Sequence, residues 1–455
     1  MSAVTQFVGE LKRHTGLAWA ERRSGGSTRN AAYSILDYVS QPVAMVLAAP
    51  FLLRTLGTSQ YGIWMIVMAV VGSLSVLGSG FGDATVKYVS EYRGKGDVRS
   101  VERVIRSTLT INTALACLFG AIVWAAAPFA ARVTFKVEPA LLSAAVWSLR
   151  IGGILLVLRS IESVFISTLR AYEDYGATVR VSVVTRVSTI VVAVVLSAMG
   201  FGVFAIVIGS VIVCIVGLML QVLAVRSTVG PILPLPSIHR ESLNIVFLFG
   251  CFSWMQALAG IIFSHADRLL VGAMLGTAAV AFYAICVQVA QTIHGFAAAA
   301  FNVVFPYVSH RYSAGDHSAL SRALRVGLTA NLVMTLTLAL PMVFLSKWIL
   351  TLWMGTDFAV QTHSLLSVLA IAFGVLATNV VPHYVLLAVG KVRFVSAVNV
   401  LGGLAALLAT VFLIPKMGLL GAALGRMLYG PVVSLNLIAV FRHIHAKAGP
   451  GVLKP

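Results

Sequence analysis

The sequence predicts an all-α polytopic membrane protein, with about twelve transmembrane helices forming two parallel six-helix repeats around a central cleft. Composition is the first observation behind this. Of 455 residues, 59% are hydrophobic and 11% charged, where a soluble protein carries about a quarter charged residues. Mean hydropathy is +0.95. Length of the apolar runs is the second: many reach twenty residues or more, enough to cross about 30 Å of hydrocarbon. The third is duplication. Tyr88-Val-Ser-Glu-Tyr-Arg-Gly-Lys-Gly-Asp97 returns as Tyr307-Val-Ser-His-Arg-Tyr-Ser-Ala-Gly-Asp316, an offset of 219 residues. Leu56-Gly57-Thr58 maps onto Leu275-Gly276-Thr277, Arg103 and Arg106 onto Arg322 and Arg325, and Asn112 onto Asn331 at the same offset. Chance matches would scatter in register, so one half is a copy of the other.

Taken in order, residues 1–29 form a basic cytoplasmic segment. Val4, Phe7, Val8 and Leu11 sit at i, i+3, i+4, i+7 beside Lys12 and Arg13, a spacing that suits a short helix lying on the membrane surface, with a disordered tail as the other reading. Residues 30–226 form the N-terminal six-helix bundle, with spans near 30–54, 61–86, 103–127, 139–169, 176–199 and 202–226. Residues 227–240 are a cytoplasmic linker, because Pro231, Pro234 and Pro236 cannot continue a helix. The C-terminal bundle covers 241–441, with spans near 241–266, 269–305, 321–346, 360–389, 391–414 and 418–441, and 442–455 is a cytoplasmic tail. Pro42, Pro50, Pro306 and Pro382 are tolerable inside spans because neighbouring helices satisfy the freed backbone groups.

Orientation follows from lysine and arginine. Segments on the N-terminal side of the membrane hold 23 of them, and the opposite loops hold six: Arg54, Arg132, Lys136, Arg268, Lys347 and Lys416. Both termini are therefore expected in the cytoplasm. The same asymmetry accounts for the net charge of +18, so a nucleic-acid partner is rejected. Six helices per half is an even number. The repeats are thus expected to be parallel, with the two Tyr-Val-Ser loops on one side. Tyr88, Asp97, Tyr307 and Asp316 are the structural residues of those loops, each aspartate suited to capping the helix that follows.

Cys117, Cys214, Cys251 and Cys286 lie apart in apolar runs, forming neither a disulfide framework nor a metal site. There is no Walker loop, no metal-spaced cluster and no nucleophile triad, hence no cofactor and no enzyme activity is expected. Without a nucleotide site, transport is expected to run on an ion gradient or on the substrate's own.

Chemistry concentrates on charge within the spans. Arg150, Arg159 and Arg186 stand mid-helix in the first half and Arg426 in the second, with Asp37 and Glu162 as the acidic partners in the first half. A mid-membrane cation costs about 2.5–3.5 kcal/mol on insertion scales, which makes each a functional candidate. Thr178, Ser182, Thr185, Arg186 and Thr189 fall on one helical stripe. So do Asn30, Ser34, Asp37, Tyr38 and Gln41, whose repeat partners include Ser253 and Gln256. Arg159 and Glu162 are close enough to neutralise each other, and Asp37 can do the same for Arg186. A third arginine remains, and surplus guanidinium in a cleft calls for an anionic, phosphate-bearing ligand. Arg150, Arg159 and Arg186 are the candidate substrate ligands. Asp37 and Glu162 are the candidates for coupling to H⁺ or Na⁺, with a fixed Asp37–arginine bridge as the other reading. His294 and His383 stand alone on apolar helices and read as packed side chains.

The motifs carry a resemblance. Leu56-Gly57-Thr58-Ser-Gln-Tyr61-Gly62-Ile-Trp64, Leu77-Gly78-Ser-Gly80-Phe-Gly82-Asp-Ala-Thr-Val-Lys87-Tyr88 and Gly94-Lys-Gly96-Asp97 resemble bacterial polysaccharide and O-antigen flippases of the multidrug/oligosaccharidyl-lipid/polysaccharide superfamily. The "DLG" common in that family is replaced here by Leu77-Gly78-Ser79-Gly80, which lacks the acid. The resemblance implies a flippase for a lipid-linked oligosaccharide on undecaprenyl pyrophosphate, moving it between leaflets of the bacterial inner membrane by alternating access. Membrane lipid and a polysaccharide polymerase are the implied partners, and lipopolysaccharide or exopolysaccharide synthesis the setting. A multidrug/cation antiporter of the same fold would need an acidic or aromatic cavity. A peptidoglycan-precursor flippase would carry two further helices.

Overall fold

The computed structural model describes residues 25–230, 236–237, 265–313 and 317–448, with no side chains before Ser40. The surface helix expected around Val4–Leu11, most of the proline linker, the greater part of the seventh span with Ser253 and Gln256, Asp316 and Cys251 lie outside the described residues. So does the side chain of Asp37.

Every regular element among the described residues is helical. The first two spans form one element, α1 (Gly25–Gly94), bent where Gly57 takes φ 73° and ψ 167°. Next come α2 (Val98–Phe129), which runs on through a π turn at Ala130–Thr134, α3 (Leu142–Ala171), α4 (Tyr175–Ala198) and α5 (Val203–Val229). After the linker follow α6 (Asp267–Leu275), α7 (Thr277–Phe301), α8 (Val304–Ser313) and α9 (His317–Phe344). The chain ends with α10 (Ser346–Met354), α11 (Thr356–Thr378), α12 (Val380–Ala388), α13 (Val392–Met427), α14 (Tyr429–Val433) and α15 (Leu435–Ala448). Nine stretches of the described residues are long and apolar enough to cross a bilayer. One of them, Val392–His443, has 52 residues, about 78 Å of helix. It is bent at Gly418 (φ 57°) and holds two crossings.

One boundary differs from the sequence expectation. The eighth span begins at Thr277 rather than near 269, because Gly276 at φ 85° ends the preceding helix. That glycine stands 219 residues after Gly57.

The bends reproduce the duplication independently of the polar loops. Positive φ occurs at Gly57 and Gly276, at Lys136 (46°) and Gly355 (98°), at Glu173 (62°) and Gly390 (79°), and at Gly200 (83°) and Gly418 (57°). The offsets run 219, 219, 217 and 218, so the register holds through the third span and slips by one or two residues afterwards. Left-handed backbone is unfavourable for a side chain. The copies therefore share their costliest conformations, and Lys136 accepts what glycine supplies at 355.

The chain forms two compact units, Ser40–Ile285 and Met1–Val39 together with Cys286–Pro455. In the first, α2 packs on α3, and both α3 and α4 pack on α5; in the second, α9 packs on α11, α11 on α13, and α8 on α12. Where no hydrophobic force separates helix from lipid, close backbone approach and side-chain hydrogen bonds hold helices together. Both devices are present. Gly120 and Gly153 bring α2 and α3 together, and a Cβ on Gly62 would run into the backbone of Thr277. Buried Asn112 of α2 donates to the Ser160 carbonyl of α3 at 3.4 Å, and its repeat partner Asn331 of α9 donates to the Ala377 carbonyl of α11 at 2.7 Å.

At one end of the first unit, Phe81, Val89, Val101, Ile105, Phe165, Leu169 and Val225 form a closed apolar cluster with Tyr88 and Tyr92 packed against it. Arg93 donates to the Ala171 carbonyl at 3.3 Å, which ties the Tyr88–Asp97 segment to the end of α3. Asp97 is the N-cap of α2: its carboxylate accepts from the Ser100 amide at 3.0 Å and from the Ser100 hydroxyl at 2.6 Å. These bonds hold the Asp97 carboxyl below the usual aspartate range. Tyr307 is half-buried on α8.

Candidate functional site

The charged residues singled out above are built into the first unit by three helices. On α3, Arg159 and Glu162 stand three residues apart and therefore on one face. Arg159 Nη1 donates to Glu162 Oε2 at 2.8 Å, with side-chain exposures of 26% and 3%. Burying a carboxylate this deep is costly unless it is paired, and the guanidinium supplies the pair. Arg159 keeps a quarter of its surface open, which leaves donor positions for a second anion.

Helix α5 lies against this pair. Cys214 is buried within electrostatic range of both Arg159 and Glu162. Ser210, Cys214, Gly217 and Gln221 follow at i, i+4, i+7 and i+11, a single buried face of an otherwise very apolar helix. Gln221 is fully buried, and neither end of its amide meets a partner among the described residues. On the same turn of α5, Gly217 admits the side chain of Thr185 from α4, since a Cβ there would strike the threonine hydroxyl. Thr185 precedes Arg186, which is half-buried. The turn 214–217 of α5 thus has Cys214 in electrostatic range of the Arg159–Glu162 pair and Gly217 in contact with Thr185. The stripe Thr178, Ser182, Thr185 is buried at 3–4% exposure, with Thr178, Thr185 and Thr189 bonded back to their own helix.

Arg150 is placed differently. Its guanidinium lies 5.3 Å from the ring of Trp124 and 5.0 Å from that of Trp147, two indoles that meet edge to face. Both tryptophans are about two-fifths exposed, as expected of aromatic anchors at a membrane interface. Nine residues separate Arg150 from Arg159, about 13.5 Å of helix and half a turn. The structure pairs Arg159 with Glu162, places Thr185, the neighbour of Arg186, against Gly217 of α5, and sets Arg150 among its indoles.

The second unit holds a cluster that sequence reading missed. His294 of α7 lies in electrostatic range of His383 on α12 and of Arg426 on α13. Arg426 is 7% exposed and stacks 4.7 Å over Phe373 of α11. Tyr429 reaches Asn399 at 3.4 Å from the same neighbourhood. The two histidines are 89 residues apart on helices without other charge, so no spacing rule links them. Asp267 was also passed over as part of a loop. It is 4% exposed and accepts from the Tyr283 hydroxyl at 2.9 Å and the Arg268 amide at 2.8 Å. Among the described residues, no group of three His, Cys, Asp or Glu could hold a metal ion. Described Cys117, Cys214 and Cys286 are free thiols.

Comparison with known proteins gives this arrangement a context. The model of a family described as "Polysaccharide biosynthesis protein" matches residues 51–360. A Shigella flexneri protein described as a candidate O-antigen transporter is 21% identical over 401 residues, covering 87% of this chain and 93% of its own. A membrane protein of Bacillus subtilis (strain 168) named EpsK, without assigned function, is 23% identical over 341 residues, 73% of this chain and 66% of its own. Among solved structures, an inward-facing multidrug-resistance MATE transporter of the MOP superfamily superposes with a TM-score of 0.78 at 15% identity. It covers 92% of this chain and 100% of that one. At such identity the likeness speaks for the fold.

Proposed function

We propose that this chain, which belongs to the polysaccharide biosynthesis protein family, flips a lipid-linked oligosaccharide. The substrate is a glycan repeat unit on polyprenyl pyrophosphate. It moves from the cytoplasmic to the periplasmic leaflet of the bacterial inner membrane by alternating access, with both termini of the chain in the cytoplasm. The observation that carries this reading is the charge balance at membrane depth. Among the described side chains of α3 and α4, Arg159 and Arg186 stand within the spans against one carboxylate, Glu162, with Arg150 set apart between its indoles. Such a surplus attracts a diphosphate and repels the organic cations that a drug antiporter carries.

Arg159 and Arg186 hold the pyrophosphate as paired forks. Arg150, occupied by two indoles, anchors the outer end of α3. The glycan follows the polar stripes and the polyprenyl chain stays in lipid. Coupling to H⁺ or Na⁺ falls to Glu162 or to Asp37 of α1, through a change of pairing or hydration as the protein switches sides.

The test is glycan export in cells whose own flippase has been deleted. Arg186→Ala, and Arg159→Ala made together with Glu162→Gln so that no buried charge is left unpaired, should reach the membrane in normal amounts and abolish export. Arg186→Lys should restore it only partly, because lysine keeps the charge and loses the fork. Normal export from Arg186→Ala would remove Arg186 from the ligand set.

A further inference from the structure

Arg150 lies on an open, apolar surface of the first unit. On α3, Trp147 stands three residues before it and Ile154 four residues after, and both are exposed, so the three share one face of the helix. Trp124 of α2 is exposed beside them. A single guanidinium among large apolar side chains marks a face turned to lipid rather than to a watery cleft. Among the described residues Arg150 enters no ion pair, and its Nε is buried without a hydrogen-bond partner. The charged group meets two indole rings, at 5.3 Å and 5.0 Å. A cation–π contact balances the charge in part and leaves the guanidinium N–H donors without oxygen acceptors.

Depth decides which acceptor reaches them. Pro139–Ala171 is one span of 33 residues, about 50 Å of helix against about 30 Å of hydrocarbon. Arg170, at the end tied to the Tyr88–Asp97 segment, is exposed. It stands twenty residues from Arg150, about 30 Å along the axis. With Arg170 at one hydrocarbon boundary, Arg150 is at the other, where tryptophans gather and lipid phosphates begin. One turn deeper, Gly120 and Gly153 bring the α2 and α3 backbones into contact. That contact fixes the two indoles relative to each other on rigid helices.

We propose that Trp124, Trp147 and Arg150 form a binding site for the phosphate of a lipid in the leaflet opposite the Tyr88–Asp97 segment. By the lysine and arginine asymmetry this is the periplasmic leaflet. The guanidinium donates to the phosphate oxygens, the indoles hold it at headgroup level, and the lipid chain lies along the Ile154 face. The phosphate belongs either to a bulk phospholipid or to a polyprenyl phosphate. The site is about 13.5 Å along α3 from Arg159 and does not depend on what the protein transports.

Native mass spectrometry of the detergent-purified full chain tests this by measuring retained lipid. Arg150→Gln should lower retention of phosphatidylglycerol or of undecaprenyl phosphate by about tenfold at one site, the size of one lost charged fork. Retention of galactosyl diacylglycerol, which has no phosphate, should stay unchanged. Where Arg150→Gln does not purify, Arg150→Lys decides by the same comparison at about threefold, since lysine keeps the charge and loses the fork. A loss for phosphatidylglycerol assigns the site to bulk lipid, and a loss confined to undecaprenyl phosphate assigns it to the polyprenyl lipid. Either loss should persist in an Arg186→Ala background, so that a failure of the transport reading leaves this test standing. No loss for either phosphate-bearing lipid, or an equal loss for the phosphate-free one, overturns the proposal.

Discussion

Replacing Glu162 by glutamine leaves the shape of α3 unchanged and removes the charge that faces Arg159. Breaking a buried ion pair by deleting one partner costs about 3–5 kcal/mol when the remaining charge is fully enclosed. Arg159 is not fully enclosed: its side chain keeps 26% exposure. The glutamine carbonyl also retains one hydrogen bond, worth about 1 kcal/mol. The expected loss is therefore about 1.5–3 kcal/mol, which in a unit of this size lowers the melting temperature by about 4–10 °C. Replacing both partners, Arg159→Leu with Glu162→Leu, should return the melt to within about 3 °C of wild type, because no uncompensated charge remains. The assay is a fluorescence-detected melt of the detergent-purified protein. A Glu162→Gln variant that melts with the wild type would refute the burial argument. A double variant that melts as low as the single one would refute its electrostatic origin.

Further expectations follow from the backbone and from pH. Gly62→Ala should yield little folded protein by size-exclusion chromatography, since its Cβ would meet the Thr277 backbone, which cannot yield; normal yield would mean the two segments are not in contact. Lys136→Gly should leave stability unchanged or raise it by up to about 1 kcal/mol in the same melt, relieving φ 46° at the position where the repeat has Gly355. A melt lowered by several degrees would contradict the strain. Asp97 has its folded pKa depressed, with the Ser100 hydroxyl as the first cause and the Ser100 amide as the second. Its cap therefore contributes fully above the unfolded value of about 4 and is lost only as pH falls through the lower folded value. The melting difference between wild type and Asp97→Ala should be flat from pH 8 to about 5 and shrink below about 4; shrinkage near pH 6 would assign the effect to another group.

The duplication was legible because a polar loop in an apolar chain keeps its register visibly. Its deeper trace, the shared bends at Lys136 and Gly355 or Glu173 and Gly390, was not. A lysine and a glycine share nothing as letters, and only the backbone angle relates them. The Arg159–Glu162 pair was readable because three residues on one helix fix a distance. Arg150 was half readable in the same way: Trp147 stands three residues before it on α3, whereas Trp124 comes from α2, and spacing does not encode that contact. His294, His383 and Arg426 meet across three helices and left no periodic signal. The start of the eighth span was read too early, because apolar residues continue across Gly276 and hydropathy does not register a reversal of φ. Gln221 could have been found as a lone amide in the most apolar span, though not its alignment with Cys214 toward the buried pair.

The central claim is that this chain moves a pyrophosphate-linked glycan and uses Arg159 and Arg186 to do so. Its most direct measurement is transfer of a lipid-linked oligosaccharide between leaflets of proteoliposomes containing only the purified protein. An imposed H⁺ or Na⁺ gradient serves as the drive. Wild-type protein should transfer the lipid-linked glycan, Arg159→Ala and Arg186→Ala should not exceed the protein-free rate, and Glu162→Gln or Asp37→Asn should lose the gradient response. Transfer at the wild-type rate by both arginine variants would contradict the account.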